Sequence, residues 1–405
     1  MLVRYTFSHA PWALIASLSS GLSNYLIILV LSGAYGLAAG GQFRLFLSIM
    51  AILSVFTLTD TGKIAVKYLV LDQPGVVKPL ILNRARWALL GMVVGLATAA
   101  VFRDRGNDLW IAIVAGSVLL PLTYPADIYA QINQARLQFK VNAIYSVSKY
   151  TTFVALAFVA IGLNVAVVYF LVAYCVVLAA FHVYFVTRHP ETFEPPNPNS
   201  AVFVREGMQL SGSGLFPLML EHADKLLISY FFGLEALGLY TIGVSTGRLL
   251  VNFVKPVLSI YFPILVNRRP ATGVLASCLV GLTAVGLIGA VPMQYYFTHV
   301  LGEAFVDGYP LAAVVLAGLG IHAVGVIVYY SSVYYRNSPI AVPTITNIAT
   351  TLVVMAYLVA SVMHGGDYAL VLCAASFPLR DFLNMVITSV LSRKIGSYEK
   401  AGSVL

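Results

Sequence analysis

A chain of 405 residues with 60% apolar side chains, 10% charged ones and a mean hydropathy of +0.88 cannot cover itself with a polar surface. Soluble domains carry roughly 25% charged residues, so a soluble enzyme, a disordered scaffold and a receptor with a single anchor are all excluded. With the bilayer as solvent, about 20 apolar residues per spanning helix plus a short loop leave room for about twelve helices. The net charge of +8 is spread along the chain with no Lys/Arg run longer than two, which argues against nucleic acid as a partner.

In chain order, apolar segments of spanning length are expected near 11–33, 37–59, 85–102, 108–131, 142–163, 165–187, 208–232, 236–265, 272–297, 309–334, 340–363 and 367–390. The first opens at Pro11 and Trp12 and carries Ser17, Ser20 and Asn24. It reads as an uncleaved helix, although Ser32, Gly33 and Ala34 resemble a signal cleavage site. Loops on one side hold sixteen basic residues, among them Lys63, Lys67, Lys78, Arg84, Arg136, Lys140, Arg188, Arg205 and Arg393. Loops on the other side hold two, Arg103 and Arg105, together with the acids Asp104, Asp108, Glu235, Glu303, Asp307 and Asp367. Basic loops stay inside, so both termini are expected in the cytoplasm.

His189 to Asn199, with Pro190, Pro195, Pro196 and Pro198, interrupts the apolar pattern and reads as a cytoplasmic linker. The expected architecture is an all-α polytopic membrane protein with an N-terminal six-helix lobe over 1–188, a Pro-rich linker over 189–205 and a C-terminal six-helix lobe over 206–405 ending in a short cytoplasmic tail. A short echo between Leu31 to Leu37 and Phe232 to Tyr240, each in the outer turn after the first helix of its half, supports a duplication about an axis along the membrane normal.

Six basic residues fall inside expected spans: Arg44, Lys149, Lys225, Arg248, Lys255 and Arg380. Each costs roughly 2.5–3.5 kcal/mol at a helix centre, so these side chains must face protein or water. Lys225 follows Glu221 by four residues, with His222 and Asp224 in the same turn, and a structural ion pair and an ion-coupling role stand equally there. Thr241, Ser245, Arg248, Asn252, Lys255 and Ser259 recur at spacings of four and three, which places them on one stripe of a helix. With no acid on that stripe, its two cations require an anion or acids from another helix. Shorter polar faces occur at Arg44 and Ser48, at Asn142, Tyr145, Lys149 and Thr152, and at Ser376, Arg380, Asn384 and Thr388, where Asp381 is a candidate partner for Arg380. Tyr124, Asp127, Gln131 and Gln134 lie close to a cytoplasmic end, where solvation at the interface accounts for them.

These faces are expected to converge on a central cationic cavity, suited to an anionic molecule rich in hydroxyls, since Arg and Lys meet phosphate while amides and phenols meet sugars. Other chemistry is not signalled. Cys175, Cys278 and Cys373 are too few and too far apart for a disulfide framework or metal site, and Gly62-Lys63 lacks the spacing of a P-loop. No cofactor is expected, with coupling to H+ or Na+ left open. Gly91 and Gly95 form a small-residue pair fit for close helix packing.

The run from His222-Ala223-Asp224-Lys225-Leu226 through Phe232-Gly233-Leu234-Glu235-Ala236-Leu237-Gly238-Leu239-Tyr240 resembles the signature between helices seven and eight of Wzx-type polysaccharide (O-antigen) flippases, and Asp60-Thr61-Gly62 is similar to that family's Asp-x-Gly after helix two. These flippases belong to the multidrug/oligosaccharidyl-lipid/polysaccharide (MOP) exporter superfamily, with the MATE-like fold. The resemblance implies a transporter, not an enzyme, that moves an undecaprenyl-pyrophosphate-linked oligosaccharide across the bacterial inner membrane, in the company of membrane lipids and of polysaccharide polymerase and chain-length proteins. The expected substrate contacts are Arg248, Lys255, Asn252, Ser245, Arg44, Lys149, Arg380 and Asn384, with Glu221, Asp224 and Lys225 as candidates for ion coupling. Two other readings remain: a drug/cation antiporter of the same superfamily, which needs acids to dominate the cavity, and a membrane polymerase or glycosyltransferase, which needs a larger outer loop than this chain has.

Overall fold

The computed structural model describes the backbone of residues 2–71, 73, 75–104, 108–259, 271–334 and 341–402, with side chains except at 2–10, 210, 213, 250, 252–259, 330, 333, 334, 341 and 393–402. The described residues are helical almost throughout, because hydrocarbon offers nothing to an unpaired backbone amide or carbonyl and a helix satisfies both within itself. The helices are α1 (Leu2–Tyr35), α2 (Leu37–Leu53), α3 (Thr61–Val70), α4 (Val77–Asp104), α5 (Leu109–Ala126), α6 (Tyr129–Ala135), α7 (Phe139–Gly162), α8 (Val167–Thr187), α9 (Ser200–Phe231), α10 (Gly233–Ser259), α11 (Thr272–Tyr295), α12 (Tyr309–Ala317), α13 (Leu319–Tyr334), α14 (Ala341–His364) and α15 (Ala369–Gly402).

Among the described residues, nine helical segments are long and apolar enough to cross a membrane, or ten when α12 and α13, bent by 44° at Gly318, count as one span. The other two long helices, α9 and α10, carry charged and polar positions along their length. Each of the twelve expected segments is mainly helical over its described residues, with short breaks at 58–59, 127–128, 165–166 and 318. The protein is thus a multi-pass membrane protein with an all-helical fold. Two sharp turns depend on glycine: Gly36 (φ 88°) reverses α1 into α2 and Gly233 (φ 84°) reverses α9 into α10, a backbone region costly for any residue with a Cβ.

The residues group into two compact units, one of Leu26–Leu226 and one of Met1–Tyr25 with Leu227–Leu405. The first, the N-terminal unit, shows how lipid and protein divide a helix. Along α4, Leu82, Leu89, Leu90, Val93, Leu96 and Val101 are exposed, while Ala88, Gly91, Gly95 and Ala99 are buried on the opposite face. A Cβ at Gly95 would lie 2.1 Å from Ser117 Oγ on α5, and one at Gly91 would lie 2.9 Å from Phe56 Cβ. The small-residue pair therefore does bring two helices close.

One element differs from expectation. The basic segment after α2 forms α3, which buries Ile64, Ala65 and Leu69 and leaves Lys63 and Lys67 at the surface. Its first turn, Asp60-Thr61-Gly62, is a packing node: Gly62 lies against the Gln131 side chain, Thr61 against Gly207 and the Asp60 carboxylate against Gly214 of α9. The Asp-x-Gly motif thus serves close helix approach here.

The Pro-rich segment is anchored to the same unit. Arg136 is ion-paired with Glu191, Glu194 accepts from the Gly75 amide at 2.7 Å, and the Asn197 amide donates to the Gly75 carbonyl at 3.2 Å. Burial there pushes the His189 imidazole below its usual range. The prolines deprive the segment of α-helix, and the Gly75 backbone and the Arg136 side chain supply the order that its own sequence lacks.

Candidate functional site

The C-terminal unit brings three charged residues and a histidine to one small cavity. Glycines set the approach. A Cβ at Gly318 would lie 2.7 Å from Pro378 Cβ, and one at Gly325 would lie 2.7 Å from the Asp381 carbonyl, so α13 and α15 run in backbone contact. His322 sits one turn before Gly325 on the same face, and its Nδ1 donates to Asp381 Oδ2 at 2.7 Å. The other carboxylate oxygen takes Arg380 Nε and Nη2, each at 3.4 Å. From α10, the Arg248 guanidinium stacks on the Phe377 ring at 4.3 Å and acts electrostatically on Asp381.

Arg248, His322, Phe377, Arg380 and Asp381 line the cavity, whose volume is about 20 Å³. That is room for about one water. His322 Nε2 is buried with no hydrogen-bond partner among the described residues. A roomier groove of about 380 Å³ between α11, α13 and α15 is lined by Leu275, Leu279, Val324, Val328, Met385 and Val386, and its lining holds no charge for an anion.

The sequence reading requires an anion, or an acid from another helix, to balance the stripe on α10, and α15 supplies Asp381. The members of that stripe divide. Thr241 is turned into its own helix, donating to the Leu237 carbonyl at 2.7 Å, while Ser245 and Arg248 are half-buried. Asn252, Lys255 and Ser259 continue the helix, but their side chains lie outside the described residues. On α15, Asn384 Oδ1 is buried with no partner among the described residues, and Thr388 meets Thr346 at 3.3 Å.

The N-terminal unit holds a second cluster. His182 Nδ1 lies 2.9 Å from the Thr123 carbonyl; because a carbonyl only accepts, Nδ1 carries the proton and Nε2 is the lone-pair side. Lys149 Nζ approaches that nitrogen at 3.5 Å and lies over the Tyr145 and Tyr150 rings at 5.0 and 4.8 Å. Asp127 Oδ1 is 3.6 Å from Nε2 and faces open space with 39% of its side chain exposed. Arg84, counted in the sequence among the topology markers, is instead buried at 2% exposure, its Nε donating to the Thr57 carbonyl at 3.0 Å.

The remaining predicted residues lie in this unit too. Lys225 Nζ meets Asp224 Oδ1 at 2.7 Å with both side chains 3% exposed, and donates to the Glu221 carbonyl. Arg44 acts electrostatically on His222. Among the described residues no group of three His, Cys, Asp or Glu could hold a metal ion.

His182 and His322 were not singled out by sequence. Each is a single imidazole in an apolar helix, and its partners lie 33 or more positions away on other helices, so no spacing announces them.

A family described as polysaccharide biosynthesis protein matches residues 8–267. No curated protein matches the chain. Among solved structures, a mutant of the Vibrio cholerae MATE transporter VcmN aligns with TM-score 0.63 at 10% identity over 97% of each chain. The MATE multidrug transporter DinF-BH aligns with TM-score 0.64 at 14% identity over 96% of this chain and 95% of its own. The eukaryotic MATE transporter AtDTX14 aligns with TM-score 0.62 at 11% identity over 96% of each chain. At such identities the likeness is one of fold, and it covers nearly the whole chain.

Proposed function

Because the chain belongs to the polysaccharide biosynthesis protein family, within the MOP superfamily whose MATE transporters share its fold, we propose that it translocates a pyrophosphate-linked glycan carried on a polyprenyl lipid from the cytoplasmic to the outer leaflet of a bacterial inner membrane. Family and fold make it a transporter and not an enzyme. The observation that carries the substrate reading is the meeting of Arg248 from α10 and Arg380 from α15 at one cavity, α15 being among the helices apolar enough to cross a membrane. Two guanidiniums held in low dielectric suit a phosphate ester, which accepts paired hydrogen bonds from each.

The cavity as it stands admits a water, so substrate entry requires α10 to part from α13 and α15. Rocking of helical bundles about a site near the midplane is the general means by which transporters of this architecture expose a site alternately. An inside-negative potential of 100 mV favours outward movement of each negative charge by about 2.3 kcal/mol. Lys255 and Asn252, two and one turns on from Arg248, would extend the same site toward the end of α10. The sixteen basic loop residues against two support cytoplasmic termini.

A drug/cation antiporter would use an accessible acid; Asp381 is engaged by Arg380 and His322, whereas Asp127 of the N-terminal unit, 39% exposed, is the acid that reading would employ. The test is a strain lacking this protein. Lipid-linked glycan is expected to accumulate on the cytoplasmic face, to be released by the wild-type gene, and drug susceptibility to stay unchanged. Normal surface glycan together with heightened drug sensitivity would sink the reading.

A further inference from the structure

Asp381 is an oddity in a cavity built for an anion. It takes Arg380 on one oxygen and His322 on the other, and Arg248 lies within its field. Among the described residues, Arg380, His322 and Arg248 are the charged or titratable groups from any element that act on it. The carboxylate is 7% exposed, and its cavity has room for about one water. With imidazole neutral, the group carries two positive charges and one negative.

We propose that Asp381 occupies the anion site as the protein's own stand-in for the phosphate, and that a phosphate-bearing substrate displaces it with uptake of one proton by the Asp381–His322 pair. The inference rests on reading Arg248 and Arg380 as the anion site. When a phosphate takes the guanidinium N–H groups, Asp381 loses the cation on Oδ1 and stands beside a second negative charge in low dielectric. Two such charges do not both persist; one group protonates. The proton comes from the buffered solvent and adds to the pair at a lone pair: at Asp381 Oδ1 once Arg380 has left it, or at His322 Nε2, which faces no hydrogen-bond partner among the described residues while Nδ1 donates to Asp381 Oδ2. Charge balances: the phosphate adds its negative charges, the pair adds one positive, and nothing is oxidised or reduced.

Two consequences follow for the site. An empty site is neutralised in part by its own carboxylate, so inorganic anions of single charge compete poorly with it. Substrate binding is also linked to pH through the proton it takes up, and by reciprocity a lower pH favours the anion.

The experiment is calorimetric titration of inorganic pyrophosphate into the purified full-length protein in lipid nanodiscs, in two buffers of different ionisation enthalpy, for wild type, Asp381→Asn and the double variant Arg248→Gln, Arg380→Gln. Comparing variants cancels the protons that pyrophosphate itself exchanges. Asp381→Asn is expected to bind about tenfold more tightly, within the usual range of linked equilibria, and to take up about one proton fewer than wild type. Equal affinity and an equal proton count in wild type and Asp381→Asn overturn this inference while leaving the anion site intact. Wild-type binding that survives in the double variant, or no wild-type binding, overturns the site and the inference together. Should Asp381→Asn fail to assemble, His322→Gln reads the same linkage: its pyrophosphate affinity is expected to follow pH differently from wild type, and an identical pH profile overturns the proposal.

Discussion

Each unit contains a histidine, an aspartate and a buried or half-buried cation, but the bonds differ in kind. In the N-terminal unit, His182 is tied to the Thr123 carbonyl, which cannot move independently of its helix, and Asp127 stands off at 3.6 Å. Lys149 lies against His182 and two tyrosine rings, partners that hold a cation without neutralising it. In the C-terminal unit, His322 is bonded to a carboxylate, and that carboxylate is shared with Arg380 under the field of Arg248. One cluster is pinned by backbone and aromatic faces; the other is held by side-chain charges alone. On the proposed function, the same residue types are structural in one place and form an anion-binding site in the other.

The contrast can be broken in several ways. Arg380→Gln is expected to have the largest functional effect, lowering glycan export at least tenfold at unchanged membrane abundance, since one bidentate charged contact contributes about 1.5–3 kcal/mol. Export measured per molecule by surface-glycan labelling checks it, and wild-type export would erase the difference between the units. Lys149→Met is expected to do the opposite. It leaves His182 Nε2 without its donor and removes two cation–aromatic contacts, at a cost of about 1–3 kcal/mol in stability, with export per folded molecule kept. Thermal unfolding of the detergent-solubilised protein measures the loss; a normal melting point with lost export would move Lys149 into the binding machinery.

Gly95→Val asks whether helix packing in the N-terminal unit is as tight as its pinned cluster suggests. The added methyls meet Ser117, and about 1–3 kcal/mol of overpacking is expected, read as reduced folded yield. The smallest effect belongs to the exposed pair of Lys67 with Glu206, 2.8 Å apart. The hydrogen bond from Lys67, joined by that from Tyr68, holds the Glu206 carboxyl below its ordinary range, and the same bond raises Lys67. A lowered carboxyl stabilises above its unfolded value and loses that contribution as pH falls through the folded one. Solvent screening limits the pair to about 0–1 kcal/mol, so Glu206→Gln should shift melting little at pH 7 and not at all near pH 3. A large shift at pH 7 would place this pair among the structural anchors.

Much of the fold was legible because hydrocarbon imposes a simple rule on sequence. Long apolar runs such as 165–187 and 272–297 have no alternative to helix, and glycines such as Gly36 and Gly233 mark turns between helices, whereas Pro121, Pro125, Pro217, Pro292 and Pro378 are carried inside helices. Less legible were the amphipathic helix Thr61–Val70, whose ten residues fall below spanning length, and the anchored Pro-rich segment, whose order comes from Arg136 and Gly75 rather than from its own composition. The site was half legible. Arg248 and Arg380 stand out because a cation in a span is costly, and Asp381 stands next to Arg380 in sequence. His182 and His322 do not stand out, since imidazole is tolerated in apolar helices and its partners come from distant segments.

The central claim is that Arg248 and Arg380 together receive a pyrophosphate-linked lipid. Its most direct test is translocation of a labelled polyprenyl-pyrophosphate glycan in proteoliposomes, comparing wild type with the double variant Arg248→Gln, Arg380→Gln at equal reconstitution. Transport by wild type and its loss to the protein-free level in the double variant is the expected result; equal transport by both would contradict the account.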